Sequence, residues 1–238
     1  MKRIIIRTLF FFMIVTNLSA QELTGFFNKT NSFLKTNVVD GRVKYAAIKE
    51  NPNTLESILQ SVKDVTVSKS DTEKYQAFWI NAYNLLVIDG IVKNYPLKSP
   101  LDIPGFFDTI KHEIGGKNLS LNEIENIMLR AKFPTEARFH FVLVCAGLGC
   151  PPIINMAYTP EKINAQLQRQ TVLALNNTDF IRVEGVSVKV SQIFEWYKGD
   201  FDKAGGIVTF INEFRDSKLL SNANISYYPY DWTLNSKK

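Results

Sequence analysis

The chain holds two cysteines, Cys145 and Cys150, and two histidines, His112 and His140. A thiol close to an imidazole is the minimum for nucleophilic sulfur chemistry, because the thiolate is the reactive species and a neighbouring base favours it. Residues 138–145 (RFHFVLVC) read as a buried strand. Positions five apart on a strand face opposite sides, so His140 and Cys145 should not meet. The loop that follows, AGLGCPP, carries Gly147 and Gly149 and can fold Cys150 back over the strand end. Cys150 is therefore the expected nucleophile and His140 its expected base.

The next two residues, Pro151 and Pro152, have no N–H and cannot furnish an oxyanion hole. The N–H of Cys150, or the side-chain amide of Asn81 or Asn84, would have to serve. Those asparagines lie three apart, on one face of a helix. A third group would orient the imidazole. In the helix LNEIENIMLRA the apolar face is Leu121, Ile124, Ile127 and Met128, with Glu125 at its edge, where a carboxylate needs a partner. Glu125 is the expected orienter; Arg130 and Arg138 are its competing, purely structural partners.

A different chemistry competes with catalysis. In an oxidising compartment a close pair of thiols tends to be bridged, giving a Cys145–Cys150 disulfide and leaving His140 as a core residue. A zinc site from His112, His140, Cys145 and Cys150 matches none of the usual paired spacings, so neither metal nor cofactor is expected. No Walker loop, GxGxxG, GxSxG or HExxH pattern is present. Tyr227, Tyr228, Tyr230 and Trp232 cluster near the end of the chain, either lining a groove or stapling that end to the core.

The elements that must position these residues are read from periodicity. Residues 22–36 carry apolar side chains at helical spacing, and Thr54 to Val62 is a short helix. Asp71 opens the strongest helical segment, stopped by Pro96 and apolar on nearly every face from Ala77 to Val92, which predicts a central buried helix. Hairpins are predicted to turn at Gly115-Gly116 and Glu184-Gly185. Ser120 and Glu123 form a capping box for the next helix. Further helices are predicted from Pro160 to Asn176 and from Gly205-Gly206 to about Lys218, with YYPYDWTLN irregular. Helices first and mixed elements later give an α+β domain rather than a regular parallel α/β sheet.

Residues 1–20 combine Lys2, Arg3 and Arg7, an apolar run from about Thr8 to Val15, and small residues ending at Ala20. That is the pattern of a cleavable signal peptide, with an apolar run short of the ~20 residues a bilayer span needs. The expected organisation is a signal over 1–20, an N-terminal helical extension over 21–70 and the main domain over 71–238. The expected location is periplasmic or secreted, not membrane-embedded after cleavage. Removing three of the 28 Lys and Arg leaves 25 against 23 Asp and Glu, a balance of +2 that gives no electrostatic case for nucleic acid.

AFWINAYNLL (77–86), LNEIENIMLR (121–130), RFHFVLVCAGLGCPP (138–152), IFEWYKGDF (193–201) and the closing YYPYDWTLN together resemble the domain of unknown function 547 family over roughly residues 71–235. The resemblance implies hallmark positions at Asn81, Tyr83, Asn84, Glu125, His140, Cys145, Cys150 and Pro151. Two departures stand out. Asn126 replaces a histidine common in the family, and Ala146-Gly147 replaces Ala-Ser. A long helix followed by a His-bearing strand is also similar to papain-like and transglutaminase-like cysteine enzymes. This likeness concerns fold alone, since no cysteine lies near residues 72–81.

These readings converge on an exported cysteine-dependent hydrolase or acyl transferase acting on a small molecule or peptide. The competing expectation is a non-catalytic binding or assembly module whose recognition loop is pinned by a Cys145–Cys150 disulfide.

Overall fold

The computed structural model describes residues 21–237; the expected signal peptide lies outside them. A helix over 21–37 (α1) leads into a two-residue hairpin, β1 (Val38–Val39) and β2 (Arg42–Val43), then α2 (Tyr45–Glu50) and α3 (Asn53–Gln60). α4 (Thr72–Asn94) is the axis of the molecule. Asp71 caps it by accepting the Lys74 N–H at 3.3 Å, and every residue from Tyr75 to Asp89 is buried. So complete a sheath needs neighbours on all sides. α2, α3, α6 (Ile163–Asn176) and the segment Ile124–Arg130 all pack against it.

Around α4 lies the first apolar core, which reaches from Leu23 and Phe26 of α1 to Ile124 and Leu129. The second is aromatic, built on Phe141, Phe180, Phe194, Phe201 and Phe210. It is enclosed by α6, α7 (Ile193–Trp196), α8 (Lys198–Lys203), α9 (Ile207–Phe214) and a three-stranded sheet. That sheet runs β5 (Ile181–Glu184), β6 (Ser187–Ser191), β7 (Asn224–Tyr228), with β5 antiparallel and β7 parallel to β6. The other predicted hairpin, β3 (His112–Ile114) and β4 (Lys117–Leu119), pairs His112 with Leu119. The described residues thus form a single α+β domain with a long buried helix, one hairpin turning at Gly115-Gly116 as predicted and another turning at Gly185-Val186, one residue beyond the predicted Glu184-Gly185.

Four expectations are corrected. The His- and Cys-bearing strand is instead a 3₁₀ helix, Ala137–Phe141, followed by an irregular run. Its uninterrupted apolar residues carry no periodicity with which to tell strand from helix. Among the described residues no strand lies beside it to complete a ladder; the Asn84 amide bonds Val142 O and Val144 N instead, both at 2.9 Å. The helix after Ser120 keeps its capping box, yet after one α turn (α5, Leu121–Glu123) it becomes a π-helix, Ile124–Arg130. The wider π turn buries Glu125 and Leu129 and leaves Ile127 50% exposed, so the predicted apolar face was rotated. The last helix stops at Phe214, not Lys218, and Tyr227 and Tyr228 belong to β7.

Candidate functional site

The two cores meet at the 3₁₀ helix: Phe139 belongs to the first and Phe141 to the second, and Cys150 packs against both. A cavity of about 330 Å³ opens at this seam. Tyr83 of α4, Glu125 of the π-helix, His140 of the 3₁₀ helix and both cysteines lie in its wall, together with Tyr197 and Tyr230. Phe107, Trp196 and Trp232 complete an aromatic side.

The loop that carries Cys150 is held by the end of the chain. Leu148 N–H donates to Thr233 O and Gly149 N–H to Asp231 O, each at 2.8 Å, while Asn235 N–H donates to Ala146 O at 2.8 Å. Glycine is required for this close approach, since a Cβ on Gly149 would stand 2.8 Å from the Tyr230 ring. Backbone pairing does the pinning expected of a disulfide. Both cysteines are free thiols, half-buried.

A hydrogen-bond relay links the two thiols. Tyr230 Oη donates to Cys150 Sγ at 2.7 Å and lies 2.7 Å from Cys145 Sγ, while the Cys145 N–H donates to Cys150 Sγ at 3.0 Å. Burial pushes the Cys150 thiol up. Donation from the Cys145 thiol, Tyr230 and the backbone outweighs it and leaves Cys150 below the ordinary thiol value of 9.0. The hydrogen bond to Cys150, helped by burial, holds Cys145 well above that value. One sulfur is poised to lose its proton and the other to keep it.

The remaining predicted site residues divide. His140 is 5% exposed; its Nε2 donates to Asp200 Oδ2 at 3.0 Å, and its ring stacks on Tyr197 at 3.9 Å. Asp200, not Glu125, orients the imidazole, and Cys150 is not the partner of that nitrogen. Arg130 Nε also donates to Asp200 Oδ2, at 2.7 Å, and Lys203 Nζ lies 3.2 Å from Oδ1. The hydrogen bond from His140, aided by Arg130, holds the Asp200 carboxyl well below its ordinary range against the opposing effect of burial. Glu125 acts on the Tyr197 phenol, while Arg130 is engaged by Asp200 and Arg138 by Glu136. Burial, reinforced by Glu125, pushes the Tyr197 and Tyr83 phenols upward, so both keep their protons near neutrality.

Asn81 and Asn84 do not line the cavity. Asn81 accepts the Tyr158 N–H at 3.0 Å and donates to Tyr158 O at 2.7 Å, doing for that segment what Asn84 does for Val142 and Val144. They fasten α4 to irregular backbone and do not stabilise an oxyanion. Replacing Asn84 with alanine would strand a buried carbonyl and a buried N–H. It is expected to cost about 2 kcal/mol, a fall of about 4–8 °C in melting temperature by calorimetry. The Cys150 N–H is likewise engaged, at 3.2 Å to Gly147 O. His112 stands outside the cavity on β3 with a buried, unpartnered Nε2, so the four-ligand zinc arrangement is not assembled. Sequence reasoning missed Asp200, one of three acids between Glu195 and Asp202, and the role of Tyr230.

The described residues thus form one α+β domain with a thiol-bearing cavity at the seam of its two cores. Residues 67–173 match the model of the family described as "Protein of unknown function, DUF547", so that segment is similar to this family. No curated protein and no solved structure gives a match.

Proposed function

We propose that the seam cavity is the active site of a cysteine-dependent hydrolase or acyl transferase, with Cys150 as nucleophile. The observation that carries this reading is the asymmetric thiol pair. Cys150 Sγ accepts from both Tyr230 Oη and the Cys145 N–H at the wall of a cavity, which favours its thiolate. In the proposed reaction the thiolate adds to an acyl carbonyl, the carbon–sulfur bond forms and the bond to the leaving group breaks. The leaving group takes a proton from the Tyr197–Glu125 pair, which faces the same cavity. Water, or an acceptor nucleophile, then adds to the thioester, returns a proton to that pair and releases Cys150. His140 acts at one remove, its Asp200-anchored ring supporting Tyr197 from behind. Tyr83 is a protonated phenol in the cavity that can donate to the developing oxyanion.

The same reading includes export, on the strength of Lys2, Arg3, Arg7 and the small residues ending at Ala20. No described helix is long and apolar enough to cross a membrane. The test of catalysis is covalent capture. Incubation with a panel of activated thioesters and p-nitrophenyl esters should give an acyl adduct on Cys150, located by peptide mass spectrometry and absent from Cys150→Ala. Adducts on Cys145 alone, or none with any ester, would overturn the assignment.

A further inference from the structure

The chemistry of the cavity wall also says what kind of group it holds, and this step rests on the active-site reading above. At its mouth Trp196 is 46% exposed and Trp232 is partly exposed, the two rings stacked at 6.0 Å. Tyr230 lies tilted against both, 5.1 Å from Trp196 and 4.6 Å from Trp232, so the three rings form one contiguous aromatic surface. Two carboxyl groups line the same cavity, exposed Asp108, which accepts from the Asn122 amide, and buried Glu125. None of the described residues lining the cavity is Lys or Arg. The nearby cation, Arg130, is turned to Asp200 and sits over the Tyr197 ring at 4.7 Å. Anions would find no fixed positive partner here. An ammonium group would find aromatic faces, which attract cations through their quadrupole, and two carboxyl groups.

We propose that this site recognises its substrate through a cationic ammonium group seated on the Trp196–Trp232–Tyr230 face, within reach of Asp108 or Glu125. The substrate class is thus an amine-bearing acyl compound, or an amine that accepts the acyl group from Cys150. A neutral chain of the same shape would gain the apolar contact but lose the cation–π and carboxylate attraction.

The experiment compares choline with its neutral isostere 3,3-dimethylbutanol at fixed ionic strength. It follows the fluorescence of Trp196 and Trp232; the third tryptophan, Trp79, is buried in the first core and away from the cavity. Choline should bind at least about fivefold more tightly than the alcohol. Asp108→Asn and Trp196→Leu, both at exposed positions, should each narrow that preference. Equal affinity for the two compounds, or no response to choline up to solubility-limited concentrations, would overturn the proposal. Selective alkylation of Cys150 in the same sample reports on the nucleophile separately. Loss of choline preference with Cys150 reactivity intact refutes the substrate class alone; an inert Cys150 refutes the active-site reading beneath it.

Discussion

Asp200→Ala is expected to lower stability by about 3 kcal/mol, or about 6–12 °C in melting temperature. The Asp200 carboxylate gathers Arg130, His140 and Lys203, and its side chain is 11% exposed. Removing it leaves the His140 ring, whose side chain is 2% exposed, without its acceptor. Arg130, 26% exposed, can recover some water, which keeps the estimate at the low end of the range for a broken buried pair. Because the folded state depresses the Asp200 carboxyl, its contribution is present above the ordinary carboxylate value of 3.8 and disappears as pH falls through the depressed one. The melting-temperature gap between wild type and Asp200→Ala should therefore stay wide from neutrality down to about pH 4 and close below it. A gap that is constant in acid would mean that Asp200 is not ionised in this network.

The second large effect falls on reactivity. Tyr230→Phe removes the hydroxyl that donates to Cys150 Sγ and touches Cys145 Sγ. A charge-assisted hydrogen bond of about 2 kcal/mol to the thiolate is lost, and the inflection in Cys150 alkylation against pH should move upward. A thiolate of higher pKa is also a better nucleophile, so the two changes partly cancel. The net slowing of iodoacetamide labelling near pH 7 is expected to be about five- to tenfold. Part of the activation should remain, because the Cys145 N–H that donates to Cys150 Sγ is left in place. An unchanged inflection would remove Tyr230 from the relay and place the activation elsewhere.

Sequence periodicity served well wherever local chemistry decides structure. The Asp71 cap, the Ser120–Glu123 capping box and the turn at Gly115-Gly116 depend on residues close in the chain and were readable; the second hairpin turns at Gly185-Val186, one residue past the reading. Residues 138–145 were not, because their conformation is imposed by the Asn84 amide from 58 and 60 positions away and by a core on either side. The π-helix was hidden for a related reason. The α and π patterns differ by one residue per turn, too little to resolve over seven residues. Cys150, His140 and Glu125 do share one cavity, but their pairing was misassigned. Asp200 takes the role given to Glu125, and Tyr230 with the Cys145 backbone takes the role given to His140. Both new partners are distant in sequence, 60 and 80 positions off, so spacing along the chain does not bring them to the thiols and the imidazole.

The central claim is that Cys150 is activated by its neighbours while Cys145 is suppressed. Site-resolved iodoacetamide labelling, quantified by peptide mass spectrometry across pH, tests it most directly. Cys150 should label first, with an inflection below 9.0, and Cys145 should lag at every pH. Simultaneous labelling of both cysteines, Cys145 reacting first, or a bridged pair with no free thiol would contradict it.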